Sequence, residues 1–393
     1  MEEKGVFIEK TIDEFYGFDY EELEPESSSV EHPFDPDKIR IDQQMLSVKY
    51  LTELLADDQI LLNPGFQRNK VWKERKRKSL LIESLMLRIP IPAFYFYENE
   101  DSKFIVIDGL QRLSTIQSFI NDEFRLSGLE YLHEFCDGKT FSELDVKYQQ
   151  RIYRTQLAVN ILDARSPSNV VFDIFRRVNT GGVSLKPQEI RNAISKTRTR
   201  ELLVELYNSD EFQNATHRKI KDDRMDGQEL VLRFYAFWKN YDYGRNILDY
   251  DTGNIAKFLD EALLLLNKAS TEEIELFKKD FKRSLSLSYR IFGQYNFRKN
   301  YLEGYLADVI NKSLYTSWSV LLANPNLSEE YLINYKDSII HAVAKCLSGD
   351  TEYDTYLTQG TNSTKAVQYS FYIANKIIKG LDKHDKILKN QKL

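Results

Sequence analysis

The run Phe104-Ile105-Val106-Ile107 passes directly into Asp108-Gly109-Leu110-Gln111-Arg112-Leu113-Ser114-Thr115-Ile116-Gln117, with no loop residues between them. Four apolar strand formers, an Asp-Gly pair and then helical periodicity read as a strand that turns at once into a helix. Such a junction gathers helix-start amides, a carboxylate, a side-chain amide and a guanidinium into one small volume. That combination makes an anion site, and phosphate is the anion such sites most often hold.

At 393 residues the chain has material for a large core and, at ordinary domain sizes, for two domains. Apolar content of 42% and aromatic content of 13% are globular values, so disorder is not the general expectation. A formal charge of -6 has the wrong sign for a protein that coats DNA through its overall field, which leaves only a local basic patch for that role. Cys136 and Cys346 lie far apart in no metal-ligand spacing, as suits a reducing compartment without a disulfide framework. The opening Met-Glu-Glu-Lys has the character of neither a signal nor a transit peptide, and the longest apolar run, near Ala262 to Leu266, is too short to span a bilayer. The expectation is a soluble, cytoplasmic protein with no membrane partner.

Residues 1–40 carry Glu21, Glu22, Glu24 and Glu26 ahead of three serines, Pro33 and Pro36, and are expected to form a loosely packed acidic arm. From Ser47, Val48, Leu51, Leu54 and Leu55 recur at helical spacing, and Ile60-Leu61-Leu62 reads as a short strand stopped by Asn63-Pro64-Gly65. Residues 73–88 predict an amphipathic helix, Ile89-Pro90-Ile91-Pro92 breaks it, and Phe94-Tyr95-Phe96-Tyr97 resumes as a strand. With strand 104–107 and a helix from about Gln111 to Asn121, the alternation predicts a small mixed α/β domain over 41–195. Beyond Ile194 the strand signals fade. Helical periodicity at 199–208, 227–241, 254–268, 272–292, 301–323, 329–347 and 363–381 predicts an all-α domain over 196–393, of about six or seven helices, and the whole is α+β.

Three constellations carry chemistry. In Phe66-Gln67-Arg68, with Val71-Trp72 behind it, Gln67 and Arg68 offer donors for a phosphate or a base edge, and Trp72 offers a stacking face; the structural alternative is a core tryptophan and an ion-paired arginine. In Asp108-Gly109-Leu110-Gln111-Arg112, Gly109 permits close approach of backbone to a ligand, and Gln111 and Arg112 sit in the first helical turn. Asp108 either holds a magnesium ion through water or caps the helix. In Phe175-Arg176-Arg177-Val178-Asn179-Thr180-Gly181-Gly182, two glycines between one helix and the next, led by Pro187, make a loop whose amides can cradle phosphate. Glu189, Arg191 and Asn192 extend its polar surroundings. Lys70, Lys73, Arg75, Lys76, Arg77 and Lys78 form a basic face that suits a phosphate backbone, or else a solvated helix surface. Asp222, Asp223 and Asp226 read as a helix-start cluster ahead of Gln228 more readily than as a metal site. Walker A, nucleophile-elbow, His-Glu-x-x-His and paired Cys-x-x-Cys motifs are missing from the sequence, and the five histidines are scattered.

Taken in order, the Gln-Arg-x-x-Val-Trp, Asp-Gly-x-Gln-Arg-Leu-Ser-Thr and Phe-x-Arg-x-Asn-x-Gly-Gly-x-x-Leu-x-x-x-Glu-Ile segments resemble the N-terminal domain of GmrSD-type modification-dependent restriction enzymes, over residues of about 45–195. Leu110 stands where the family usually has the first Gln of Asp-Gly-Gln-Gln-Arg. The resemblance implies a ParB/sulfiredoxin-like fold that binds and hydrolyses a nucleoside triphosphate with Mg2+, coupled to sensing of DNA in defence against phage. It implies catalytic roles for Asp108, Gln111 and Arg112 and nucleotide contacts from Gln67, Arg68, Gly109, Arg176, Asn179, Gly181 and Gly182. Many members carry a His-Asn-His nuclease domain at the C-terminus, and the helical half here has no such motif, so a separately encoded nuclease or effector subunit and a second copy of the chain join the partners to consider. Two other readings stand beside the NTPase: a non-catalytic DNA-binding or assembly module using the basic face, and a metal-dependent DNA nickase.

Overall fold

A computed structural model describes residues 40–61, 74–99, 102–163, 165–166, 168–178 and 186–390, with backbone alone for 168, 169, 176 and 382–390. The described residues fall into two units, one ending at Ile194 and the other beginning at Ser195.

The first unit is built on a five-stranded mixed sheet. Its strands are β1 (Ile41–Ser47), β2 (Ile60–Leu61), β3 (Phe94–Glu98), β4 (Phe104–Asp108) and β5 (Gln156–Leu162), in the order β1-β5-β3-β4-β2. β1 and β5 are antiparallel, β5 and β3 parallel, β3 and β4 antiparallel, and β4 and β2 parallel. Helices α1 (Val48–Ala56), α2 (Arg75–Leu87), α3 (Leu110–Ile120) and α5 (Val146–Arg154) share one core with the sheet, and a single-turn helix α4 (His133–Cys136) precedes α5. In that core Ile82, Leu85 and Met86 of α2 and Leu113, Ile116 and Phe119 of α3 meet Phe94, Phe96 and Val159 of the sheet. Alternation in β3 puts Phe94 and Phe96 into this core and turns Tyr97 to the opposite face. There Tyr97 meets Phe175 of α6 (Ser168–Val178), ring centroids 6.5 Å apart. Ile105, Val106 and Ile107 of β4 are all buried, as a strand covered on both faces must be. The unit closes with α7 (Pro187–Ile194).

Between α3 and α5 the chain runs mostly as turns, pinned by the buried Glu83 and Ser79 of α2 and by Asp137 within the connection. The Glu83 carboxylate, 3% exposed, accepts from the amides of Glu130, Tyr131 and Leu132 at 3.1, 2.8 and 2.8 Å. Ser79 accepts from Ser127 N–H at 2.9 Å, and Asp137 from the amides of Gly128 and Leu129. A long irregular connection stays ordered because its amides find acceptors on the neighbouring helix.

The second unit consists of α8 (Thr197–Tyr207), α9 (Asp210–Ala215), α10 (Asp226–Lys239), α11 (Ile255–Lys268), α12 (Thr271–Phe292), α13 (Lys312–Leu322), α14 (Glu329–Asn334), α15 (Lys336–Gly349), α16 (Thr351–Tyr356) and α17 (Thr364–Asn390). α10 runs through its middle, buried along almost all its length, and Phe234 meets Phe281 of α12 edge-on with centroids 5.1 Å apart. The α+β architecture follows the sequence-based expectation, but strands β1 and β5 and the short helices α9 and α16 were not expected, and the described residues of this unit hold ten helices where about six or seven were expected. A two-residue hairpin, β6 (Tyr241–Asp242) and β7 (Ile247–Leu248), interrupts the helices. The helix expected over 301–323 begins only at Lys312, where the Asn311 side chain accepts from Leu314 N–H at 2.9 Å and fixes the start. The helix expected over 329–347 is split at Tyr335.

Candidate functional site

The Asp-Gly junction adopts the strand-to-helix turn that the sequence predicts. β4 ends on Asp108, Gly109 takes a left-handed conformation at φ 98°, and α3 begins at Leu110 with no side chain capping its start. Glycine is required on two counts. Positive φ is costly for other residues, and a Cβ at Gly109 would lie 2.3 Å from Phe94 Cδ1. The register between β3 and β4 shifts between Tyr95 and Phe96, so Asp108 pairs with Tyr95 and the strand end turns away from the regular ladder.

Asp108 and Arg112 stand one helical turn apart and form an ion pair, Nη2 to Oδ2 2.9 Å. The same guanidinium donates to the carbonyls of Ala93, at 3.2 Å, and Pro92, and its carbon lies 4.4 Å from the centroid of the Phe94 ring. Burial lowers the Arg112 pKa while the Asp108 carboxylate opposes the shift, and the guanidinium keeps its charge. Arg112 is 12% exposed at its side chain and Asp108 38%. The arginine is therefore the inner member, braced on the entry to β3, and it presents the carboxylate outward. Gln111 lies in the same first turn and has interactions of its own. Phe94, Pro92 and Ala93 belong to this site and escaped the sequence reading. The Pro-led break before β3 was the available signal, but nothing in the sequence says that two carbonyls there meet an arginine in α3.

The third constellation comes onto the same sheet. Phe175, fully buried, packs α6 against Tyr97 of β3, and α6 also contacts β4, the strand that carries Asp108. α6 and α7 flank the glycine loop as the sequence predicts. Lys186 N–H donates to Glu189 Oε2 at 2.7 Å, a back-reaching cap on the first turn of α7. Gln188, Glu189, Arg191 and Asn192 are all buried in this eight-residue helix, a polar concentration that a structural helix rarely carries. Asn179, Gly181 and Gly182 of the loop, the Arg176 side chain, Gln67, Arg68, Val71 and Trp72 of the first constellation, and Lys70 and Lys73 of the basic face lie outside the described residues.

Arg75, Lys76 and Arg77 are exposed in the first turn of α2, with Lys78 following. Lys78 reaches over the Phe124 ring at 5.5 Å, and the stem of Lys76 lies near Gly128. Cations at a helix start oppose the helix dipole, at about 0.3–1 kcal/mol each. The turn itself holds no acidic residue, and Glu74 occupies the N-cap just before it.

Among the described residues no group of three or more His, Cys, Asp or Glu side chains has metal-binding proximity. Asp222 accepts from Gly227 N–H at 2.8 Å, Gln228 N–H at 3.2 Å and Gln228 Nε2 at 2.7 Å, so it fixes the start of α10, the helix-start role that its spacing suggests. Burial raises its pKa. At the junction, a single partly exposed carboxylate fits a magnesium ion that takes most of its ligands from water and substrate phosphates.

No helix among the described residues is long and apolar enough to cross a membrane. No curated protein matches the chain. Residues 51–196, from within α1 to just past α7, match the family described as GmrSD restriction endonuclease, N-terminal domain. The mixed α/β unit carrying the Asp108–Arg112 junction thus belongs, over residues 51–196, to the GmrSD restriction endonuclease N-terminal domain family.

Proposed function

We propose that this protein is a nucleotide-hydrolysing component of a DNA restriction system, and that the Asp108–Gly109 junction is its catalytic centre. The observation that carries the reading is the oriented carboxylate: Arg112, 2.9 Å from Asp108 and braced on two carbonyls, holds it at an uncapped helix start. The amides of that start and its dipole suit a polyphosphate. Gly109 lets the backbone approach it, and Gln67, Arg68, Arg176, Asn179, Gly181 and Gly182 are assigned the rest of the phosphate shell.

Hydrolysis of a phosphoric anhydride asks mainly for positioning and charge stabilisation. Asp108 accepts a hydrogen bond from the attacking water and aligns it with the terminal phosphorus, and Gln111 orients the same water or a phosphate oxygen. Arg112 acts through Asp108, because the contacts it makes already engage its guanidinium. Asp108 is also the residue that would hold Mg2+, which supplies charge neutralisation across the phosphates when bound.

The basic first turn of α2, with Arg75, Lys76 and Arg77, is assigned to the DNA backbone, with Lys70 and Lys73 just before it. Cleavage of the DNA falls in this reading to a separately encoded nuclease or effector subunit. Phosphate release from the four ribonucleoside triphosphates with Mg2+, with and without DNA, tests the proposal: Asp108→Ala abolishes turnover with the fold intact, and unchanged turnover overturns it.

A further inference from the structure

The helical unit holds a groove of about 770 Å³ between the β6–β7 hairpin and one face of α17. Its walls combine three chemistries. Arg245, Lys376 and Lys379 supply positive charge, and no acidic side chain lines the groove among the described residues. Tyr372 is 55% exposed, with Lys376 Nζ 5.8 Å from its ring centroid. Asn246, Gln368 and Asn375 supply amides, and Asn375 donates from Nδ2 to the Tyr241 hydroxyl at 2.6 Å.

Periodicity shows that this face is organised. Gln368, Tyr372 and Lys376 follow one another at four-residue steps along α17, with Lys379 and Gly380 one turn further on, so amide, ring and cations form a single stripe. Gly380 lies inside that helix, where glycine weakens it. A Cβ there would meet nothing within 4 Å among the described residues, so the helix backbone at Gly380 is open where it lines the groove. Arg245 is 3.6 Å from Asp242 and mostly exposed, while Lys376 and Lys379 have no ion pair among the described residues.

We infer that this groove binds a nucleotide unit, with its phosphate at Lys376 and Lys379 and its base against Tyr372, either free or within a single strand. Positive charge alone would suit any anion. The exposed ring beside the cations selects one that also carries a flat aromatic face. The groove's lining residues all belong to the helical unit, and the inference does not depend on hydrolysis at the Asp108 junction.

The test is fluorescence anisotropy of a labelled ten-nucleotide oligo-dT with the 393-residue protein, in a background in which Arg75, Lys76 and Arg77 are alanine to silence the other basic face. Binding is expected, with Tyr372→Ala weakening it about ten-fold and Tyr372→Phe retaining it, as base stacking requires. Lys379→Ala is expected to lower the dependence of log affinity on log salt by about 0.7, the effect of one single-strand phosphate contact. Unlabelled thymidine monophosphate and oligo-dT, used as competitors, separate a free-nucleotide site from a strand site. Thermal melts confirm that each surface variant is folded. Absence of binding, or binding that heparin competes equally well and Tyr372→Ala leaves unchanged, overturns the inference.

Discussion

Arg112 binds the Asp108 carboxylate at 2.9 Å while the same guanidinium lies 4.4 Å above the Phe94 ring. One side chain thus joins the end of β4, the start of α3 and the entry to β3, and its position fixes where the carboxylate points. Arg112→Lys cannot reproduce this, because an ammonium neither forks across two carbonyls nor stacks on a ring as a guanidinium does. We expect Arg112→Lys to lose about 1–3 kcal/mol of stability and most hydrolytic activity even though Asp108 remains. Chemical denaturation and phosphate release measured on the same preparation check both parts.

Gly109→Ala is expected to cost roughly 2–4 kcal/mol, from the left-handed backbone and from overpacking against Phe94. The measurement is the urea midpoint at constant slope. Combining it with Phe94→Leu, which withdraws the clashing ring edge, should recover the packing part and leave the backbone part. Equal destabilisation in the single and double variants would mean that the 2.3 Å approach has no energetic consequence.

Glu83 predicts a stability effect remote from the junction. Removing its carboxylate takes away the acceptor that three amides share among the described residues. Glu83→Ala should cost about 3–5 kcal/mol and speed amide exchange at 130–132 before global unfolding. Exchange rates in that segment matching the wild type would contradict the assignment.

His217 sets a pH dependence in the helical unit. Burial, with help from Arg298 and Lys219, lowers its pKa below 6.5. Between the folded value and 6.5 the unfolded chain binds a proton that the folded chain does not, so this contribution is fully present above 6.5 and is lost as pH falls through that window. His217 also has φ 56°, a conformation that asparagine tolerates. His217→Asn should therefore keep the fold while flattening the fall in melting temperature between pH 7.5 and pH 5. An unchanged slope would exclude His217 as its source.

How much of this was legible beforehand depended on whether the signal was local. The Phe104–Ile107 run, the Asp-Gly turn and the α3 periodicity are contiguous in sequence, and they fold as read. β1 and β5 were missed: each alternates weakly, as with Gln43, Gln44 and Asn160, and they become strands by pairing with each other across the chain. Propensity yields there to tertiary pairing. At the site, Asp108, Gln111 and Arg112 were legible because the junction concentrates them. The brace from Pro92, Ala93 and Phe94 was not, since it depends on β3 lying beside β4. The helix expected across 301–323 failed in its first half, where Gly304 at φ 86° and the bridge between Asn300 and Leu306 hold a turn that apolar spacing does not reveal.

The most direct measurement is phosphate release by the wild-type protein and by Asp108→Asn, across the four ribonucleoside triphosphates with Mg2+ and with or without DNA. Asp108→Asn preserves shape while removing the charge that Arg112 holds in place. The account predicts turnover of at least one triphosphate by the wild type and a loss of at least about 100-fold in the variant, in line with the cost of removing one positioned catalytic group. Equal turnover by the two proteins, or none by the wild type under any of these conditions, would contradict it.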